Sequence, residues 1–122
     1  MEHDYDSLVE TPLTIDRQFH LQKYSQFHNC LTLESSKEYG SLKGNSPCLT
    51  RVELVFYGVS AVQLVTRFEG ISVKIIPTDL KLSVLRGVEA SSICFLFEIT
   101  SGETLGYVYA MGMKYVEGND ER

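Results

Sequence analysis

The chain has 122 residues, 43% of them hydrophobic and 22% charged, and a net charge of -5. Those are ordinary values for one globular domain, which at this length can bury about two-thirds of its unfolded surface. The 11 Lys and Arg form no run and the pI is near 5.1, which argues against nucleic-acid binding, because a phosphate backbone needs clustered cations. No apolar run approaches the ~20 residues that span a bilayer. The opening MEHDYDSLVE lacks the basic, apolar and small-residue regions of a signal peptide. Three cysteines, Cys30, Cys48 and Cys94, give neither an even disulfide count nor a CxxC pair. The expectation is a cytoplasmic protein with reduced thiols and no membrane partner.

Residues 1 to 11 are polar and acidic, with no apolar period, and read as a flexible end. Residues 13 to 27, LTIDRQFHLQKYSQF, are ambiguous. Ile15 and Phe19 stand one helical turn apart and Asp16 is a candidate cap, whereas Phe19 and Leu21 fit a strand. The expectation is a short helix or an irregular arm. From residue 29 the period becomes two, with Leu31 and Leu33 on one face and Cys30, Thr32 and Glu34 on the other. His28 and Asn29 then organise the chain as it enters this strand. The Gly, Ser, Asn and Pro of SSKEYGSLKGNSP, residues 35 to 47, predict a loop.

Val52, Leu54 and Phe56 share one strand face, which Gly58 breaks or bends. Val62, Leu64, Thr66 and Phe68 predict the next strand. Glu69 and Gly70 predict a short turn, and Ile71, Val73 and Ile75 a further strand that Pro77 ends. Residues 78 to 92 predict a single turn of helix, capped by Thr78 or Asp79 and ended by Gly87, or an irregular edge. The clearest hairpin follows. Ile93, Phe95, Phe97 and Ile99 alternate with Cys94, Leu96, Glu98 and Thr100, and Ser101–Gly102–Glu103 turns the chain. The return strand sets Leu105, Tyr107, Tyr109, Met111 and Met113 against Gly106, Val108, Ala110 and Gly112. Residues 118 to 122 read as a second flexible end. About six strands with hairpin-like connections, and one or two short helices, predict a mainly β fold. Its form is an antiparallel sandwich or a half-open barrel.

Four constellations bear on chemistry. His28 and Cys30 point to one side of an extended strand, but their Cα atoms are ~6.5–7 Å apart, and neither an orienting group nor an oxyanion donor accompanies them. An inert thiol is the simpler reading, so no catalytic residue is assigned. His3, His20, His28 and the cysteines lack the ligand spacing of a metal site. The glycines match no phosphate-binding motif, and no cofactor is expected. Glu34, Glu53 and Glu98 fall on the outward phases of three strands. As a carboxylate pair they suit acid–base work only in a pocket that raises one pKa. More simply they are solvated, or, with Val55, Tyr57, Cys94 and Leu96, they form a surface to which a protein binds.

The segments FHNCLTLES, VELVFYGVSAVQL and FLFEITSGETLGYVYAMGMKYVE, over residues 26 to 117, resemble small bacterial β-rich proteins. Those proteins share an aromatic-His-Asp opening, a later hydrophobic-F-x-G-V strand and a closing hairpin. They include immunity protein family fifty, whose members lie beside polymorphic toxins. This chain has Asn29 where the pattern more often has Asp, and no Trp. The resemblance implies a non-enzymatic binding protein and carries over no site residue.

The functional expectation is a small cytoplasmic protein-binding module, in its specific form an immunity-type inhibitor that occludes a toxin active site. Glu34, Glu53, Tyr57 and Glu98 are its candidate contacts, and a basic protein is its candidate partner. Two alternatives stand beside it. One is a small-ligand barrel or enzyme whose cavity is lined by Tyr107, Tyr109 and the Met residues. The other is a homo-oligomeric structural protein joined through strand edges or the apolar face.

Overall fold

A computed structural model describes residues 3–4, 12–25, 29–36, 49–77 and 93–118. These hold seven strands: β1 (His3–Asp4), β2 (Leu13–Ser25), β3 (Cys30–Ser35), β4 (Arg51–Gln63), β5 (Arg67–Ile76), β6 (Phe95–Ser101) and β7 (Thr104–Gly118). No helix occurs among the described residues. The chain is all-β and every pairing is antiparallel. The ladder passes from β2 to β3, β4, β7, β6 and β5, and β5 pairs again with β2. The six long strands therefore close into a ring, which removes most of the free edge of an open sheet. The short β1 adds to the outside of β7, His3 opposite Glu117.

The ring has two halves, because its long strands change partners partway. The first part of β2 pairs with β5 and its last part with β3. The first part of β4 lies between β3 and β7, and β7 pairs with β6 only up to Ala110. One half is thus centred on β3 and the other on β6, and β2, β4 and β7 bend from one to the other. Bends and bulges are the usual means by which a strand turns such a corner.

On β4 the corner is Gly58, at φ 61. Phe56 and Val59 both face the core, with two residues between them, and so do Met113 and Ala110 opposite. Both strands thus change inward phase at one level. A Cβ at Gly58 would stand 2.5 Å from Met111 Cγ, and one at Gly112 would run into the Tyr57 ring. The two side chains fill the space that the two glycines leave.

β2 corrects the expectation of a helix or irregular arm over residues 13 to 27. Leu13, Ile15, Phe19 and Leu21, all odd positions, pack into the core. Arg17 interrupts that period-two series, and the interruption leaves Ile15 and Phe19 at helical spacing. Asp16 and Arg17 together oppose the single residue Gly70, at φ 75, and Gln22 is a second extra residue opposite β3. The expected turn at Glu69–Gly70 is therefore a bulge inside β5. The expected strand over Val62–Phe68 is divided: β4 ends at Gln63 and β5 begins at Arg67. The chain reverses at Leu64, Val65 and Thr66, where the Thr66 carbonyl accepts the Leu21 N–H at 2.8 Å.

The interior is filled. Leu33, Leu54, Phe56, Val73, Phe97, Ile99, Val108 and Met113 are fully buried, and Phe56 meets Phe97 edge to face at 5.2 Å. Each such side chain contributes roughly 1.5–3 kcal/mol on burial. A second cluster, Leu96, Tyr107 and Tyr109 with Ala61, Ile76 and Cys94 packed on it, lies on the outward phase of β6 and β7. The helix expected in 78–92, most of the loop at 35–47, and His28 and Cys48 lie outside the described residues.

Candidate functional site

The outward face of the β3 half is built by three adjacent strands. Glu34 on β3 stands directly opposite Glu53 on β4, and His20 on β2 directly opposite Glu34. Side chains opposed in this way have Cβ atoms about 4.5–5.5 Å apart, and like charges there repel. Arg51 offsets the repulsion from one side, and His20 flanks the pair on the other. His20 Nε2 lies 3.6 Å from Glu34 Oε1, a pair that is ionic when the imidazole is protonated. Arg51 NH1 lies 2.8 Å from Glu53 Oε2. The carboxylates are only 17% and 16% exposed and Arg51 is 3% exposed. This is a partly desolvated charge row rather than a set of solvated surface groups.

Val55 and Tyr57 follow Glu53 on the same face. Tyr57 is opposite Cys30 on one side and Gly112 on the other. At a rise of about 3.3 Å per residue, Tyr57 is ~13 Å along β4 from Glu53. The face therefore has an acidic end and an aromatic end. Lys114, opposite Val55, adds a cation at mid-height.

Of the four candidate contacts, the structure brings Glu34, Glu53 and Tyr57 together and leaves Glu98 apart. Glu98 is on β6, opposite Tyr107 of β7 and Lys74 of β5, and its Oε1 lies 3.3 Å from Lys74 Nζ. Glu53 is opposite Val116 of β7. Tyr107 and Val116 are nine residues apart, ~30 Å along the strand, with the bend at Gly112 between them. Cys94 and Leu96 likewise belong to the β6 half, where Leu96 is buried. The surface expected to unite Val55, Tyr57, Cys94 and Leu96 is two surfaces.

Tyr107 and Tyr109, expected to line a cavity, are buried in the second cluster. Met113 fills the barrel interior, and Met111 lies over Gly58. Cys30 and Cys94 are half-buried thiols, and Ser60 Oγ lies 3.9 Å from Cys94 Sγ. Among the described residues no three His, Cys, Asp or Glu side chains converge to hold a metal ion. No helix among them is long and apolar enough to cross a membrane. Asn29 sits at φ 52 and its carbonyl accepts the Val59 N–H at 2.9 Å. It therefore fixes the chain where β3 begins, in a left-handed conformation that Asn tolerates.

Two features were not foreseen. Arg17 is a clamp at one end of the barrel, where β2 has parted from β3. Its Nε donates to Ser35 Oγ at 2.8 Å, and its terminal nitrogens donate to the carbonyls of Ser35, Ser36 and Thr50. Thr50 Oγ1 donates in turn to Glu117 Oε2 at 2.7 Å, and Tyr115 OH to Glu117 Oε1 at 3.0 Å. The guanidinium thus takes up carbonyls at strand ends. The Arg in an otherwise apolar series was the one sequence signal for it. The second feature is a half-open groove of about 640 Å³ over residues 18–21 of β2, Thr66 of the reversal and residues 67–69 of β5. No protein-family model, curated protein or solved structure matches this chain.

Proposed function

We propose that the protein is a binding module that acts in the cytoplasm and covers a basic site on a protein partner, in the manner of an immunity-type inhibitor. The observation that carries this reading is the opposed pair Glu34 and Glu53, partly desolvated and set on a face with Val55 and Tyr57. A Lys or Arg from a partner relieves the repulsion between the two carboxylates and gains charge-assisted hydrogen bonds from both. Tyr57 supplies the amphipathic aromatic area that interfaces favour. The net charge of -5 steers a basic partner toward the face. The mechanism is occlusion, so the module needs no reactive group of its own.

The test is co-expression with the toxin encoded by a neighbouring gene, followed by calorimetry on the purified pair. Tight binding is expected, with Glu34→Lys weakening it at least about tenfold, the scale of one lost charge-assisted contact. Glu98→Lys, on the other half, should leave it unchanged. A neighbouring toxin that does not bind, or one whose binding ignores Glu34→Lys, would overturn the reading.

A further inference from the structure

The groove over β2 and β5 lies beside the carboxylate face and shares His20 with it. Phe19 and Phe68 are opposed and buried, so the flanking residues Gln18, His20, Arg67 and Glu69 point outward. Gln18 is opposite Glu69 and His20 is opposite Arg67. These four make a two-by-two floor. One row is cationic or proton-donating, His20 with Arg67, and the other is an amide beside a carboxylate, Gln18 with Glu69. The rows are two residues apart, ~7 Å. Among the described residues, neither the Arg67 guanidinium nor the Glu69 carboxylate forms an ion pair. Both charges are open to a ligand. The volume, about 640 Å³, falls within the range of small-molecule sites, about 300–1,000 Å³.

From this layout we infer that the groove binds the two charged ends of a short peptide, its carboxylate on Arg67 and its ammonium on Glu69. Two extended residues span at most ~7 Å, the spacing of the rows. The planar guanidinium fits a carboxylate through two parallel hydrogen bonds, with Thr66 and His20 beside it as further donors. The Glu69 carboxylate accepts from the ammonium at the other end, beside the Gln18 amide. An anion alone meets Glu69, and a cation alone meets Arg67. The floor therefore selects a molecule that carries both charges at this separation.

The probe is the dipeptide alanyl-leucine, titrated into the full chain and followed by amide chemical shifts. Shift changes confined to residues 18–21 and 66–69 are expected. The N-acetylated and C-amidated forms should each bind about tenfold more weakly or worse, the scale of one lost charge-assisted contact. Arg67→Gln should abolish the difference between free and amidated dipeptide, and Glu69→Gln the difference between free and acetylated. Both positions are exposed, so the variants should keep the parent's melting curve. Absence of shifts, shifts elsewhere, or equal binding of free and blocked forms would overturn the inference. The variants leave Glu34 and Glu53 in place, so the outcome is separate from that of the toxin experiment.

Discussion

In the β3 half, the outward positions of β3 and β4 carry Thr32, Glu34, Glu53 and Tyr57. In the β6 half, the outward positions of β6 and β7 carry Leu96, Tyr107 and Tyr109. Both sets alternate with residues of the barrel interior, so the same period places them. Their fates differ: in the first set Thr32 is buried while Glu34, Glu53 and Tyr57 stay partly exposed, and the second set is a buried apolar cluster. An outward phase on a strand is therefore not the same as a surface. Around Leu96–Phe97 and Tyr107–Ala110 the β6 half is buried on both faces, as in the interior strands of larger sheets, and the sequence there carries the mark of that, a continuous apolar run in place of alternation.

The comparison is broken or sharpened most strongly by truncating one tyrosine in each half. Tyr109→Ala removes a fully buried side chain and should cost about 3–5 kcal/mol, measured by urea unfolding. Tyr57→Ala should cost clearly less. Equal losses would mean that the two outward faces are packed alike. Next, Gly58→Ala tests whether the two halves need their shared corner. The positive φ and the contact with Met111 should together cost about 1–3 kcal/mol, seen as a lower midpoint with an unchanged m-value.

Single substitutions separate the members of the charge row. Glu53→Gln takes a carboxylate from the nearly buried Arg51 and should destabilise by about 1.5–3 kcal/mol. Glu34→Gln relieves like-charge repulsion at the loss of a pair with half-exposed His20, and should stay within about 0.5 kcal/mol of the parent. If instead Glu34→Gln proves the more costly, His20 rather than Arg51 anchors the row. The smallest change is expected at Glu98→Gln, whose partner Lys74 is mostly exposed and whose pair should contribute under about 1 kcal/mol.

The parts of the fold that could be read from sequence are those where alternation is clean. Leu31 and Leu33, Val52, Leu54 and Phe56, and the hairpin around Gly102 fall where period two places them. The misreadings have physical causes. Arg17 stands where β2 would otherwise show another apolar residue, because strand-end carbonyls hold its guanidinium there. Gly70 looks like a turn because bulges and turns make the same demand on φ. The true reversal, Leu64–Val65–Thr66, contains no Gly, Asn, Asp or Pro, and so gives no local signal. At the site, alternation puts Glu34 and Glu53 on outward phases, but their direct opposition depends on register, which distant strands decide. Period two puts Glu98 on an outward phase as well, but alternation does not say which strands are neighbours. The bend of β7 at Met111–Gly112 carries it to the other half.

β7 has a consequence for how the protein is made. It pairs with β4, β6 and β1, and it is the last of these strands to be synthesised. Until it emerges, β4 and β6 each present an unpaired edge, the kind of surface on which chains aggregate. Thr50 waits for Glu117, 67 residues later, on the order of 3–13 s at about 5–20 residues per second. During that interval the ring is an open sheet with its apolar interior uncovered. The nascent chain therefore depends most on chaperones just before synthesis of β7 is complete.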